Sequence, residues 1–269
     1  MKELFVLAAE ALTAADIGAK LATMDRLEGV IAAPAVPLPS TLEPLPPCPE
    51  RGQFAGWTVV LPRQVPRRDP ATPAGRAALL HAIAHIEYSA IDLALDHTLR
   101  FPGLPGAYYR DWIGVAIEEA RHFRLLRERL QAHGADYGDF PVHDTLWRMA
   151  EATREDVLVR MALVPRLLEA RGLDATPPLR EKLARAGDEA AVAVLDVILA
   201  DEIGHVGLGD RWFRQLCRAR GLVPEATYRD LLQRFRAPWP QQPMNRQARL
   251  QAGFSAAELD DLTAGPSRA

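Results

Sequence analysis

The sequence predicts an all-α protein built on a four-helix bundle with one long crossover. Three observations carry that expectation. Four long stretches repeat their apolar residues at helical spacing, and no stretch alternates as a half-buried strand would. Two of the four hold the same motif, Glu119-Ala-Arg-His122 and Glu202-Ile-Gly-His205. Each motif follows a single apolar-face glutamate by nearly the same distance: Glu87 precedes Glu119 by 32 residues and Glu169 precedes Glu202 by 33. Finally, about 20 residues separate the second long helix from the third, enough to cross the length of a bundle, whereas a short loop would force antiparallel neighbours.

The elements follow in order. Residues 1 to about 30 read as two short helices, with apolar spacing through Leu4, Ala8 and Leu12 and then Ile17, Leu21 and Met24. Residues 31–75 hold 11 of the 22 prolines, which excludes a helix there. Trp57, Val59, Val60 and Leu61 make that segment apolar, so it is expected to be an extended arm lying on the core. The first long helix spans about Pro73 to Leu99 and stops before Phe101-Pro102-Gly103; the second runs from about Pro105 to His133 and ends at Gly134. The connection from Ala135 to Arg154 holds a short helix near Thr145 to Ala150. The third long helix spans about Glu155 to Arg171, kinked at Pro165, with Gly172 as its C-terminal cap. The fourth spans about Leu179 to Arg220, with an interruption at Gly187, and ends at Gly221. Beyond it, Ala237-Pro-Trp-Pro240 to Pro243 must be extended, and Asn245–Ala252 and Ala256–Leu262 suit short helices that dock on the bundle. The expected division is 1–75 for the N-terminal helices and arm, 76–221 for the bundle and 222–269 for a helical and extended C-terminal tail.

Composition bounds the function. The hydrophobic and charged fractions, 48% and 25%, fit one globular domain with appendages. A net charge of −3 argues against broad nucleic-acid binding but leaves room for a local basic patch. The two cysteines, Cys48 and Cys217, read as idle thiols in a reducing compartment. The start, Met1-Lys2-Glu3-Leu4-Phe5, lacks the long apolar run of a leader or membrane span, so the expected location is the cytoplasm, away from membranes.

The repeated motif carries the chemistry. Residues i and i+3 of a helix share a face, so a glutamate and a histidine one turn apart can point at one ion. Glu87, Glu119, His122, Glu169, Glu202 and His205 together offer four carboxylates and two imidazoles, the ligand set of two metal ions in a helical bundle. Hard oxygen and borderline nitrogen donors without thiolate suit iron, or manganese, and not structural zinc. The surroundings are apolar. Glu119 and His122 share a stripe with Trp112, Val115, Ala116, Phe123 and Leu126; Glu202 and His205 share one with Leu195, Ile198, Leu199 and Val206; Glu87 lies with Leu80, Ile83, Ala84, Ala90, Ile91 and Ala94. A carboxylate on such a face must be paired or bind metal. Any one of them alone could be a buried ion pair with an arginine; six together at this spacing point to metal.

The order of these residues on four helices resembles the ferritin-like diiron carboxylate superfamily. More closely, His81-Ala-Ile-Ala-His85-Ile-Glu87, Ile91-Asp-Leu-Ala-Leu-Asp96, Glu118-Glu-Ala-Arg-His122-Phe, Met161 through Glu169-Ala-Arg-Gly-Leu-Asp174 and Asp201-Glu-Ile-Gly-His205-Val are similar to the bacterial family called domain of unknown function 455. The resemblance covers most of the chain. It implies a ferritin-like bundle and the six ligands above, with Glu169 near its helix end beside Pro165. The family name supplies no activity; wider relatives include a tRNA-modifying diiron hydroxylase, aliphatic oxygenases, ribonucleotide reductase small subunits, ferritins and rubrerythrins.

Other polar residues on these helices invite supporting roles. His81 and His85 lie one turn apart, but Glu87 is about 200° around the helix from His85, so the pair is expected beside the metal set or in a structural role. Asp92, Asp96 and Asp201 could orient ligand imidazoles through the second ring nitrogen or be ordinary surface charges. Glu118 is expected to pair with Arg121 or Arg110, and Tyr88 to be a core or interface tyrosine.

The expected function is that of a redox enzyme that activates dioxygen at two metal ions, an oxygenase or hydroxylase needing an electron donor and a substrate the sequence does not name. tRNA is one candidate substrate, with Arg63, Arg67, Arg68 and Arg100 as a possible basic patch. An iron-storing or iron-oxidising protein is the first alternative; the added N- and C-terminal segments argue against shell assembly and for a monomer or small homo-oligomer. A scaffold that keeps its metals for stability is the second. Full occupancy would place two metals roughly 3.5–4 Å apart.

Overall fold

The computed structural model describes residues 2–32, 47–65 and 69–265. Its elements are helical throughout, and the only pairing of extended chain among the described residues is an isolated parallel bridge between Val59 and Val142. The chain divides into two compact units, residues 1–147 and 148–269.

Unit one is organised by the antiparallel hairpin of α3 (Pro73–Arg100) and α4 (Gly106–Ala132). Pro73 at the first helical position and the Thr72 hydroxyl, which accepts from the Gly75 amide at 3.0 Å, start α3. The loop between them turns at Gly103, whose φ of +77° suits a residue without Cβ. α1 (Lys2–Thr13) packs on α3 and α2 (Ile17–Ala32) on α4. The described part of the proline-rich arm docks here too. Gly52 donates to the Leu12 carbonyl at 2.9 Å, Trp57 Nε1 to the Tyr137 hydroxyl at 3.0 Å, and Val60 to the Val142 carbonyl at 2.8 Å. Prolines 34, 37, 39, 44, 46 and 66 of the arm lie outside the described residues.

The buried face of α2 differs from the apolar spacing. Leu21 is half-buried, whereas Lys20 and Thr23 lie inside with Ile17, Met24 and Leu27. Lys20 tolerates burial because its ammonium donates to Asp92 Oδ1 at 2.5 Å and to the Ala11 carbonyl at 2.7 Å. α3 is long and apolar enough to cross a membrane, but 78% of that apolar window is buried inside the protein, the mark of a core helix.

Unit two carries the third and fourth long helical runs. α5 (Thr145–Ala152) leads into it. The third run starts at α6 (Val157–Leu163), capped by the Asp156 carboxylate, which accepts from Leu158 N at 2.8 Å. It widens into a π-helical segment over Val164–Glu169 and resumes as α7 (Ala170–Arg185). Pro165 therefore acts by widening a turn: it has no N–H to continue the i to i−4 ladder. Gly172 does not cap this run as expected; the helix passes through it and through Pro177-Pro178. The tail explains the continuation. Pro177 leaves the Leu173 carbonyl without its helical donor, and Asn245 Nδ2 donates to it instead at 3.2 Å.

The break falls at Gly187, with φ +73°, and the Asp188 carboxylate caps α8 (Glu189–Ala219) by accepting from Ala191 N at 3.1 Å. Helix four thus begins ten residues later than Leu179. α9 (Pro224–Arg234), α10 (Arg246–Gln251) and α11 (Ala256–Ala264) complete unit two. α11 opens with a capping box between Ser255 and Glu258.

Replacing Lys20 by Met leaves the Asp92 carboxylate buried without its cation and is expected to cost roughly 3–5 kcal/mol of stability. Adding Asp92→Leu should recover most of that loss. Equilibrium urea unfolding of both variants measures it, and a single variant as stable as the parent would contradict the pairing.

Candidate metal centre

Helix register brings the first three candidate ligands together within unit one. Glu87 on α3 and Glu119 on α4 each stand 16 residues from Gly103, so the hairpin sets them at one level. His122 follows Glu119 by one turn on the same face. Its Nδ1 lies 3.2 Å from Glu87 Oε2 and 3.4 Å from Glu119 Oε2. Glu87, Glu119 and His122 are 5%, 1% and 0% exposed, deep enough that charge cannot be left to water.

The electrostatics reflect that crowding. Burial, followed by repulsion from Glu119, pushes the Glu87 carboxyl well above the usual carboxylate range, to about 8, against the pull of His122. Burial would lower His122, but its bonds to Glu119 and Glu87 outweigh this and hold it at about 11. Glu87 and His122 thus keep protons at pH values where a free carboxyl and a free imidazole have shed them.

Unit two holds the second half. Glu202 and His205, both buried, lie one turn apart on α8, with His205 Nδ1 3.3 Å from Glu202 Oε1. Glu169 is half-buried at the last position of the π-helical segment. The hairpin about Gly187 gives its level. Pro165 and Gly209 each stand 22 residues from that turn, and they touch: a Cβ on Gly209 would meet the Pro165 Cβ at 2.5 Å. Glu169 and His205 each stand 18 residues from it, one turn nearer along the same antiparallel pair.

Of the six residues singled out by the sequence, Glu87, Glu119, His122 and Glu202 form a buried group that could hold metal. Each offers a ligand atom, and these atoms all lie within 4.8 Å of one another. Glu169 and His205 are outside that tightest grouping.

Of the residues expected to support the ligands, His81, His85, Asp92 and Asp96 have other partners. His81 Nε2 accepts from the Gly138 amide at 2.9 Å, and its ring stacks on Tyr137. His85 Nδ1 lies 2.7 Å from the Tyr137 hydroxyl and its Nε2 3.3 Å from the His143 carbonyl. Burial lowers both histidines to about 4, so they act as neutral rings that pin residues 137–143 onto α3. Asp92 is paired with Lys20, and no ligand imidazole bonds to either of its oxygens. Asp96 holds Arg100 through contacts of 2.6–3.0 Å and receives the Cys48 thiol at 3.5 Å. Asp201 is half-buried on α8. Tyr88 sits in an aromatic core with Trp57, Phe123 and Tyr137 at ring separations of 5.1–5.6 Å.

Sequence reasoning missed Tyr137, Lys20 and Arg166, all buried. Tyr137 belongs to a loop with no periodicity to mark it. Lys20 and Arg166 sit where helical spacing asks for apolar residues, and their partners Asp92, Asp210 and Glu258 are 72, 44 and 92 residues away. Of the expected basic patch, Arg63 is exposed, Arg100 is committed to Asp96, and Arg67 and Arg68 lie outside the described residues.

Comparison with known proteins agrees in outline. An uncharacterized protein of Haemophilus influenzae is 50% identical over 209 residues, which cover 75% of this chain and 73% of that one. No solved structure matches significantly. The model of the family described as "Protein of unknown function (DUF455)" matches residues 13–260, and the chain belongs to that family.

Proposed function

We propose that this chain is a non-haem dimetal carboxylate protein of ferritin-like architecture that uses dioxygen to oxidise an organic substrate. The observation that carries the reading is the buried Glu87, Glu119, His122 and Glu202 group. Glu169 and His205 complete a six-residue ligand set by their matched level on the second hairpin. The donors fit the ions: carboxylate oxygens and imidazole nitrogens without thiolate favour iron, with manganese the nearest competitor.

Two ferrous ions held there would supply the electrons that dioxygen takes up. The chain does the rest. Its carboxylates would hold the cations and favour their oxidised state by negative charge. The buried side chains of Trp112, Val115, Ala116 and Phe123 on α4, and of Leu195, Ile198 and Val206 on α8, exclude water from the ligands' helix faces. Glu87 and His122 hold protons that metal must displace. An organic substrate and an electron donor come from outside. A tRNA substrate draws no support from Arg100, whose guanidinium is neutralised by Asp96.

Proton displacement fixes the sign of a pH effect. Both groups are raised, so the metal-free site is protonated where ordinary carboxylates are not, and rising pH removes the competitor. Affinity for Mn2+ is expected to rise by about tenfold per pH unit for each proton displaced, between about pH 5 and 8. Titration calorimetry in buffers of different ionisation enthalpy counts the released protons; a pH-independent affinity would contradict the assignment.

The activity test uses the ferrous protein. Wild type is expected to consume dioxygen and gain near-ultraviolet ferric absorption. A Glu119→Ala, Glu202→Ala variant should lose most bound iron, the uptake and the metal's stabilisation of the fold. Ferrous wild type that survives hours in air at neutral pH would leave a metal-stabilised scaffold as the better reading.

A further inference from the structure

Arg166 is a guanidinium with no exposure to solvent, in the middle of the π-helical segment and three residues before Glu169. Its Nε donates to Asp210 Oδ1 at 2.7 Å, and its Nη2 donates to Glu258. Aromatic rings cover it, with Tyr228 at 4.0 Å, Phe254 at 4.4 Å and Phe213 at 5.1 Å. Arg214 doubles the connection, donating to Asp210 Oδ2 at 2.9 Å, Glu258 Oε2 at 2.9 Å and Glu225 Oε1 at 2.7 Å. The π-helical segment, α8, α9 and α11 are all tied to this one cluster.

We propose that Arg166 is a positioning residue for the metal centre, and that Glu258 of the C-terminal helix α11 is part of the same device. A π-helical turn is a rare backbone state that tertiary contacts must hold, and Pro165 withholds one of its donors. Two consecutive residues hold this one. Pro165 packs on Gly209, and Arg166 bonds Asp210, the next residue of α8. Those contacts lock the register of the segment against the helix that carries Glu202 and His205. Glu169, at the end of the segment, is thereby fixed at the level of His205. Glu258 holds the far side of the guanidinium, so a residue 89 positions beyond Glu169 sets where that carboxylate stands. The role rests on Glu169 being a metal ligand, as proposed above.

The experiment is Mn2+ binding to the full chain, followed by calorimetry and by electron paramagnetic resonance, for Arg166→Lys, Glu258→Gln and Glu169→Gln. Circular dichroism and metal-free thermal unfolding report the fold separately. Glu258→Gln keeps shape and removes charge. It is expected to stay folded yet bind one of the two Mn2+ ions roughly 10–100-fold more weakly. The spectrum of the coupled pair should give way to that of an isolated ion. Arg166→Lys should do the same, and Glu258→Gln added to Glu169→Gln should weaken binding little further, because both act through one carboxylate. If Glu258→Gln does not fold, Ser255→Ala loosens the same helix through its cap, with a smaller loss of affinity expected.

A merely structural role lowers the metal-free melting temperature and leaves the affinity and spectrum of the folded protein at wild-type values; that result would overturn the inference. Wild-type binding by Glu169→Gln would overturn it too while leaving the dimetal reading intact. A wild-type chain that binds no Mn2+ would overturn both.

Discussion

Like charges cannot be buried together without a counter-charge, and the rest of this structure is arranged around that constraint. Glu87 and Glu119 face one another across the α3–α4 hairpin, both nearly out of reach of water. His122 answers part of their charge, by holding a proton far above its ordinary range. Divalent cations would answer it more completely, since carboxylates and imidazole can bind them directly. Helix length, turn position and the apolar lining all serve to bring those few polar groups to one level.

Several other buried charges among the described residues are resolved by pairing within the protein. Lys20 meets Asp92, Arg51 meets Asp144 at 2.5 Å beneath the ring of Trp147, and Arg249 meets Asp174 at 2.6 Å. Arg166 and Arg214 share Asp210 and Glu258. These pairs fix helices to one another because each leaves an expensive orphan when broken. At Glu87, Glu119 and His122, by comparison, two buried carboxylates lie against one imidazole.

Much of this was legible in the sequence, for reasons of locality. The Glu-x-x-His spacing is a property of one helix turn, so it could be read without knowing the fold. Gly103, Gly134 and Gly187 mark real chain reversals, each with φ between +73° and +78°. Gly172 misled because a glycine ends a helix only where the backbone bonds also end there. Asn245 and Arg249 of the tail bond backbone carbonyls on either side of it, at Leu173 and Ala170. His81 and His85 were expected beside the metal set or in a structural role, and they hold a loop whose Tyr137 and Gly138 carry no periodic signal. Arg166 was invisible because a charge in an apolar stretch reads as a defect until its partners, 44 and 92 residues away, are in place. All-helical architecture was readable throughout; the π-helical turn was not, since a proline predicts that a ladder breaks without saying how.

The most direct test of the central claim is anomalous diffraction at the iron edge from crystals of the anaerobically loaded chain. Two iron positions are expected, bounded by Glu87, Glu119, His122 and Glu202, with Glu169 and His205 completing their coordination. Iron at any other location, or loaded crystals in which no iron contacts Glu87 and Glu119, would contradict it.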